Sequence, residues 1–177
     1  MKAYIIHNQD CEDRRDIVEH LQTSTGAEVV EAVWMKNPVL GCIYSHLKVA
    51  VKAKQDNEKK PYIVFEDDCD LLEDIDVILA HFQEADIVYF GYNDMGFDKY
   101  GMFPYFFGTH AMMISPKARD ILLEHCLEHP GLPYDHIVSR LIKQFNLSVE
   151  FPDFEDKEKF AVQRKGLIST ITGNRRS

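Results

Sequence analysis

The 177-residue chain has little that would place it outside a cell or within a membrane. Its four cysteines are isolated from one another, with no pair at the short spacing of zinc sites or redox motifs, which favours reduced thiols in the cytosol. No apolar run approaches the length of a membrane span, and no charged-then-apolar leader opens the chain. We therefore expect a cytoplasmic protein whose contact with a membrane, at its inner face, would be peripheral.

Acidic residues outnumber basic ones. Lysine and arginine number 20 against 29 aspartates and glutamates, which gives a net charge of −9. A surface of this sign argues against a nucleic-acid partner, because such binding rests on cationic contacts to phosphates. An anionic substrate would need a metal ion or a local basic patch. Arg164-Lys165 and Arg175-Arg176 could form that patch, and a solvated tail explains them equally well.

Length and composition predict one globular domain spanning residues 1–177. A chain of this size can form one hydrophobic core, and its shares of 45% hydrophobic and 28% charged residues are near globular averages. Internal repeats and low-complexity tracts are absent from the sequence.

Short apolar runs alternate with helical stripes along the chain. The predicted strands span residues 3–6, 29–33, 62–65, 87–90, 109–114 and 147–151. The predicted helices span residues 12–22, 42–54, 75–82, 116–129 and 135–145. This alternation favours an α/β fold with a mostly parallel sheet flanked by helices. Between Gly91 and Gly108 the pattern dissolves, which predicts an irregular lid or acceptor-binding loop.

The most informative segment is the apolar run from Tyr62 to Phe65, which leads directly into a group of carboxylates. These are Glu66, Asp67, Asp68 and Asp70. Ligands of open α/β sheets bind beyond strand ends, so the carboxylates should line a cleft. Mg²⁺ typically uses one or two carboxylates together with oxygens of a substrate phosphate. The sequence therefore predicts a metal-diphosphate site, although an acidic loop that caps the next helix would show a similar pattern.

Three motifs in order resemble glycosyltransferase family 25, which contains bacterial lipooligosaccharide galactosyltransferases and collagen galactosyltransferase domains. They are Gly41-Cys42-Ile43-Tyr44-Ser45-His46, Ile63-Val64-Phe65-Glu66-Asp67-Asp68 and Gly108-Thr109-His110-Ala111. Weaker similarities are Asp13-Arg14, Pro133-Tyr134-Asp135, Gln163 and Ser169-Thr170. The chain departs from the family at His7-Asn8-Gln9-Asp10, where the family usually has Asn-Leu-Asp-Arg.

The resemblance implies a GT-A-like nucleotide-binding domain that transfers a hexose with inversion. The expected donor is a UDP-sugar, with galactose or glucose, and the acceptor is a hydroxyl group of a glycan or glycoconjugate. The expected cofactor is Mn²⁺ or Mg²⁺, held by Glu66 and Asp68, with Asp70 and His110 as further candidate ligands. Asp68-Cys69-Asp70 also spells Asp-x-Asp one register later, so either pair of acidic residues could bind the metal.

The resemblance also gives candidate donor contacts and a candidate base. The donor contacts are Arg14, Ser45, His46, Glu66 and Asp67. Inverting transfer needs a base for the acceptor hydroxyl, and a carboxylate is the usual choice. Asp135 is the first candidate and Asp94 the second.

Several of these residues could instead have a purely structural role. His110 could be a hydrogen-bonded core histidine, Asp135 a helix N-cap, and Arg14 a surface partner of Asp10 or Asp13. Ser45 and His46 could simply flank the core, and Cys42 is more simply explained as a small buried side chain than as a nucleophile.

The predicted loop also carries a cluster of aromatic residues that suits the apolar faces of sugars, or that could fold inward instead. They are Phe97, Tyr100, Phe103, Tyr105, Phe106 and Phe107.

Two other classes of protein compete with the transferase. A haloacid-dehalogenase-like phosphatase also places acidic residues after a strand, but the first one here is Glu66, and no Gly-Thr follows. The stronger competitor is a non-catalytic module that binds a sugar nucleotide or a glycan on the same fold.

Overall fold

A six-stranded sheet with helices on both faces forms the centre of the structure. The computed structural model describes residues 1–82, 84–92, 94–97, 104–152 and 159–163, with only the backbone described in 94–97 and 104–107. The strands are β1 Lys2–His7, β2 Glu28–Glu31, β3 Tyr62–Glu66, β4 Cys69–Leu71, β5 Ile87–Tyr89, β6 Asp94–Phe97, β7 Pro104–Phe107, β8 Ala111–Ile114, β9 Val149–Glu150 and β10 Ala161–Gln163. The helices are α1 Arg15–Thr25, α2 Pro38–Asp56, α3 Ile75–His81, α4 Pro116–His125 and α5 Tyr134–Phe145.

The central sheet has the strand order β2-β1-β3-β8-β5-β9. β1 pairs in parallel with β2 and β3, and β5 pairs in parallel with β9. β8 is antiparallel to both of its neighbours, β3 and β5. The expectation of a mostly parallel α/β sheet is therefore confirmed, with β8 as the reversed strand.

The strand residues alternate between two hydrophobic cores. Tyr4 and Ile6 face one core, whereas Ala3 and Ile5 face the other. The first core is covered by α2, α4 and α5, and the second by α1, α3 and the pair β4-β10. Because both faces are buried, the strands are continuous apolar runs, as is typical of parallel sheets.

Helix starts follow local capping rules. Ser115 Oγ accepts a hydrogen bond from the Ala118 N–H at 3.1 Å, and Pro116 is the first helical residue, as the sequence predicts. α2 begins at Pro38, four residues before the predicted start at Cys42. The reason is a second Pro-led start, in which Asn37 Oδ1 accepts from the Val39 N–H at 3.0 Å.

Two antiparallel pairs of strands lie outside the central sheet. β6 pairs with β7 inside the segment predicted as an irregular loop, so that prediction is wrong for the eight residues of these strands. β4 pairs with β10, placing Cys69 opposite Gln163, and this pairing was not predicted.

Several sequence-predicted features lie outside the described residues or side chains. They are the aromatic rings between residues 97 and 107, Arg164-Lys165, Ser169-Thr170 and Arg175-Arg176. Within the described part of the chain, none of the helices combines the length and apolar character that crossing a bilayer requires.

Candidate functional site

The candidate site lies where β1 and β3 end and β8 begins. His7 and Glu66 are the last residues of β1 and β3, and Thr109 and His110 immediately precede β8. The Glu66 N–H donates to the His110 carbonyl oxygen at 2.8 Å, so these strand ends are joined. Because β8 is reversed, its beginning meets the carboxyl ends of its neighbours, the edge at which open α/β sheets bind ligands.

Helix α2 brings a second set of side chains to this edge. It can approach because Gly41 is small: a Cβ there would lie 2.8 Å from the Val33 carbonyl oxygen. Ser45 stabilises this packing of α2 against Val33. Its hydroxyl donates to the Gly41 carbonyl at 2.7 Å and accepts from the Val33 N–H at 2.8 Å. Ser45 is thus engaged with backbone groups, and its contact with a donor stays a prediction.

His46 and Glu66 form the centre of the site. His46 Nε2 lies 3.2 Å from Glu66 Oε1, which also accepts from the Thr109 hydroxyl at 2.8 Å. The Tyr134 ring stacks on the His46 ring with 3.9 Å between centroids. Burial alone would raise the pKa of Glu66, but the hydrogen bonds from His46 and Thr109 hold that pKa below its ordinary value. Glu66 is therefore an ionised carboxylate whose orientation is held by His46 and Thr109.

Asp67 belongs to a buried ion-pair network. Its Oδ1 accepts from Arg14 Nη1, and its Oδ2 lies 2.9 Å from His7 Nδ1. The Asn8 N–H also donates to Oδ2, at 3.3 Å. Arg14 is 2% exposed, so the structure contains a buried partner for Asp67 instead of a surface pair with Asp10 or Asp13. Donor contacts by Arg14 and Asp67 stay predictions.

Asp68 has one carboxylate oxygen that could accept a further hydrogen bond or bind a cation. Its Oδ2 accepts from Gln163 Nε2 at 2.9 Å and lies 3.7 Å from Arg14 Nη1. Its Oδ1 is buried and has no hydrogen-bond partner among the residues that the structure describes. Burial, followed by the charge of Glu66, raises the pKa of Asp68 to about 6. A cation beside Oδ1 would relieve both the repulsion and the missing contact.

The other predicted ligands lie around this core of the site. Asp70 is half-buried in the middle of β4, opposite Val162 of β10. His110 is buried, and a Cβ at Gly91 would lie 3.3 Å from its Nε2. Their metal contacts stay predictions.

Asp135 lies in the first turn of α5, next to the Tyr134 ring. The N-cap residue is Pro133, so Asp135 is not the cap, and its Oδ1 accepts from the His136 N–H at 2.8 Å. Its charge raises the pKa of Cys42, after burial and Glu66, and that of Tyr89, after burial. Asp135 directly follows Tyr134, whose ring stacks on His46. The side chain of Asp94, in β6, is outside the described part of the structure.

One group of potential metal ligands was missed in the sequence. The ligand atoms of Cys42, His46 and Glu66 lie within 4.8 Å of one another. Asp68, Asp70 and His110 do not belong to this group of described residues. The available signal was the i, i+4 spacing of Cys42 and His46, which places both on one helix face. Their proximity to a strand end 20 residues later is a tertiary feature.

Solved structures with the same fold include glycosyltransferases and nucleotidyltransferases. A glycosyltransferase involved in the glycosylation of the major capsid of PBCV-1 has a TM-score of 0.55 at 10% identity, covering 86% of this chain and 82% of that one. A197 from STIV has a TM-score of 0.52 at 11% identity, covering 96% and 97%.

A putative glucose-1-phosphate thymidylyltransferase from Bacillus anthracis in complex with a sucrose has a TM-score of 0.50 at 14% identity, covering 85% and 67%. No protein-family model and no curated protein matches the sequence. At these identities the likeness shows the fold alone. It confirms the predicted GT-A-like class.

Proposed function

We propose that this protein is a metal-dependent inverting glycosyltransferase. It would move a hexose, galactose or glucose, from a UDP-sugar to a hydroxyl group of a glycan or glycoconjugate. The motifs that resemble family 25 and the GT-A-like fold shared with a glycosyltransferase both support this activity. The observation that carries the proposal is the gathering of Glu66, Asp68 and His46 at the ligand-binding edge of the sheet. Four free cysteines support a cytoplasmic location.

The proposed cofactor, Mn²⁺ or Mg²⁺, would be held by Asp68 and Glu66. The buried Asp68 Oδ1, which has no hydrogen-bond partner among the described residues, fits a hard cation that takes oxygen ligands. Asp70 and His110 are further candidate ligands at the same edge. Bound there, the ion would neutralise negative charge on the departing diphosphate.

Glu66 and its partners would orient the donor. Thr109 and His46 fix the Glu66 carboxylate before any ligand arrives, so little reorganisation is needed on binding. In this role Glu66 accepts a hydrogen bond from the ribose, and the Tyr134 ring, stacked on His46, keeps that imidazole beside Glu66.

The proposed base is Asp135. It directly follows Tyr134, whose ring stacks on His46, and this position near the start of α5 supports the role. Inverting transfer requires a group that takes the acceptor proton within hydrogen-bond reach. Asp94 remains the second candidate.

The alternative is a non-catalytic module that binds a sugar nucleotide or a glycan. One observation favours it: Arg14 and Asp67, two of the predicted donor contacts, neutralise each other in a buried pair. A module that kept binding but lost turnover could retain such a pair as part of the fold.

The nucleotidyltransferase class is less consistent with the sequence. Proteins that cradle phosphates with backbone N–H groups commonly use a glycine-rich loop after a strand. The segment after β1, Asn8-Gln9-Asp10-Cys11, contains no glycine.

The deciding experiment measures UDP release and UDP binding in parallel. Protein is supplied with UDP-galactose or UDP-glucose and Mn²⁺, with and without candidate glycan acceptors, while calorimetry measures UDP binding. A transferase releases UDP, faster with an acceptor. A binding module binds UDP without releasing it, and an absence of both binding and release contradicts both proposals.

Two substitutions separate the proposed roles. Asp68→Asn should abolish metal-dependent UDP binding, because it removes a metal ligand. Asp135→Asn should spare UDP binding and lower transfer by about 100-fold or more, the scale of a lost general base. Asp76→Asn, an exposed aspartate at the start of α3, is the control. Loss of binding in Asp135→Asn with binding retained in Asp68→Asn would contradict both assignments.

A further inference from the structure

The cluster of Cys42, His46 and Glu66 adds a thiol and an imidazole to Glu66, one of the carboxylates that the proposed function uses. Cys42 and His46 are one turn apart on α2, and Glu66 ends β3. A thiolate and an imidazole are ligands that select borderline or soft metals, whereas Mg²⁺ and Mn²⁺ prefer oxygen. We propose that Cys42, His46 and Glu66 form a binding site for Zn²⁺, which shares Glu66 with the proposed donor site and can be tested without a nucleotide.

The three ligand atoms are close enough to bind one metal ion after small movements of the side chains. Zn²⁺ bound tetrahedrally to nitrogen and oxygen at about 2.1 Å would separate these two atoms by about 3.4 Å. His46 Nε2 and Glu66 Oε1 are 3.2 Å apart. The three ligand atoms all lie within 4.8 Å of one another, and a sulfur-containing edge of the tetrahedron is about 3.6 Å long, so closure requires about 1 Å of movement.

The surroundings hold two of the ligands in place. The Tyr134 ring stacks on His46 at an interplanar angle of 16°, which restricts rotation of the imidazole. Thr109 donates to Glu66 Oε1 at 2.8 Å, an outer hydrogen bond of the kind that orients metal-binding carboxylates. Three protein ligands leave a fourth position open, as in zinc sites that accept water or substrate.

The local charge favours a dication over a bare thiolate. Burial, and then the negative charges of Glu66, Asp135 and Asp68, raise the pKa of the Cys42 thiol. The same carboxylates attract a cation, and metal binding releases the thiol proton, while His46 binds through Nε2 as the tautomer that carries its proton on Nδ1. His46 carries no other charged partner among the ion pairs of the described residues.

Cobalt substitution provides the test, because Co²⁺ bound to a thiolate gives an ultraviolet sulfur-to-cobalt charge-transfer band. Metal-free protein is titrated with Co²⁺, and the band should saturate at one equivalent and disappear when Zn²⁺ is added. A large excess of Mg²⁺ should leave the band unchanged. A folded wild-type protein without the band, or with a band that Mg²⁺ removes, overturns the proposal.

Variants identify the ligands. Cys42→Ser should remove the band, and His46→Gln should weaken Zn²⁺ binding by more than the roughly 10–100-fold typical of outer hydrogen-bond changes. Cys11→Ser, at a half-buried thiol outside the cluster, should keep the band. A band retained in Cys42→Ser overturns the proposal. Circular dichroism verifies the fold of each variant, and a Zn²⁺-dependent rise in wild-type Tm gives a second readout that requires no variant.

No nucleotide enters these measurements. A chain that binds Zn²⁺ but not UDP would contradict the proposed function alone, whereas a chain that releases UDP but shows no cobalt band would contradict the zinc site alone.

Discussion

At the scale of single residues, the buried contact between Arg14 and Asp67 gives Arg14 a role in stability. Both side chains are buried, and Asp67 also accepts from His7 and the Asn8 N–H. A buried carboxylate without its cation is costly, so Arg14 serves the fold whatever else it does.

We expect Arg14→Met to lower the free energy of unfolding by about 3–5 kcal/mol, because it leaves Asp67 buried and unpaired. Urea denaturation measures the change. The double variant Arg14→Met/Asp67→Leu should recover much of the loss, since it removes both charges. A stable Arg14→Met protein with weakened UDP binding would instead support the donor contact predicted from the sequence.

The sequence marks individual candidate residues but does not show which residues they contact. Glu66, Asp68, His46 and Asp135 were singled out because a strand end and family-like motifs mark them. The pairing of Arg14 with Asp67 spans 53 positions, and that of Asp68 with Gln163 spans 95. No local pattern encodes contacts at such separations, so they could not be inferred without the fold.

At the scale of elements, the close approach of β10 to Gly91 is decisive. A Cβ on Gly91 would lie 1.9 Å from the Ala161 carbonyl oxygen, so a larger residue would have to push β10 away. β10 carries Gln163, which donates to Asp68. The geometry of Asp68 therefore depends on a glycine 23 positions away.

We expect Gly91→Ala to destabilise the chain by about 1–3 kcal/mol, the usual cost of overpacking. Gly131→Ala is the matched control, because nothing lies within 4 Å of a Cβ added there. Thermal unfolding of both variants measures the difference. Equal Tm values would contradict the close contact between Gly91 and β10.

Element types were predictable where periodicity was strong and not where pairing was distant. The apolar runs of β1, β3 and β5 and the helical stripes of α1, α2 and α5 indicated their structure. The reversed direction of β8 was not visible, because strand polarity depends on the path of the chain and not on side-chain alternation. β6 and β7 lie in a glycine- and aromatic-rich segment without alternation.

At the scale of the whole molecule, Asp86 joins three elements. Its carboxylate accepts from Lys117 Nζ at 2.8 Å, the Ser148 N–H at 3.0 Å and the Ser115 hydroxyl at 3.2 Å. It thereby ties the start of β5 to α4 and to the segment that leads into β9. Burial opposes ionisation, but the hydrogen bonds from Lys117 and Ser148, led by that of Lys117, hold the pKa of Asp86 below its ordinary value.

This lowered pKa predicts a pH-dependent contribution to stability. The Asp86 carboxylate stabilises the fold above its unfolded pKa of about 3.9, and the stabilisation disappears as pH falls through the lower folded pKa. We expect Asp86→Asn to cost about 1 kcal/mol at pH 7 and less below about pH 4. Urea denaturation across pH checks this, with exposed Glu73→Gln as control. A constant difference down to pH 3 would contradict the assignment.

The bond between Gln163 and Asp68 has a consequence for the order of assembly. The two residues are 95 positions apart, so forming this bond early would cost much loop-closure entropy. Other contacts lower that cost by shortening the loop first. We therefore expect the hydrogen bond from Gln163 to Asp68 to form late in folding, after the central sheet has formed. A chain shortened before β10 could fold its central sheet and still leave Asp68 without the partner that Gln163 provides.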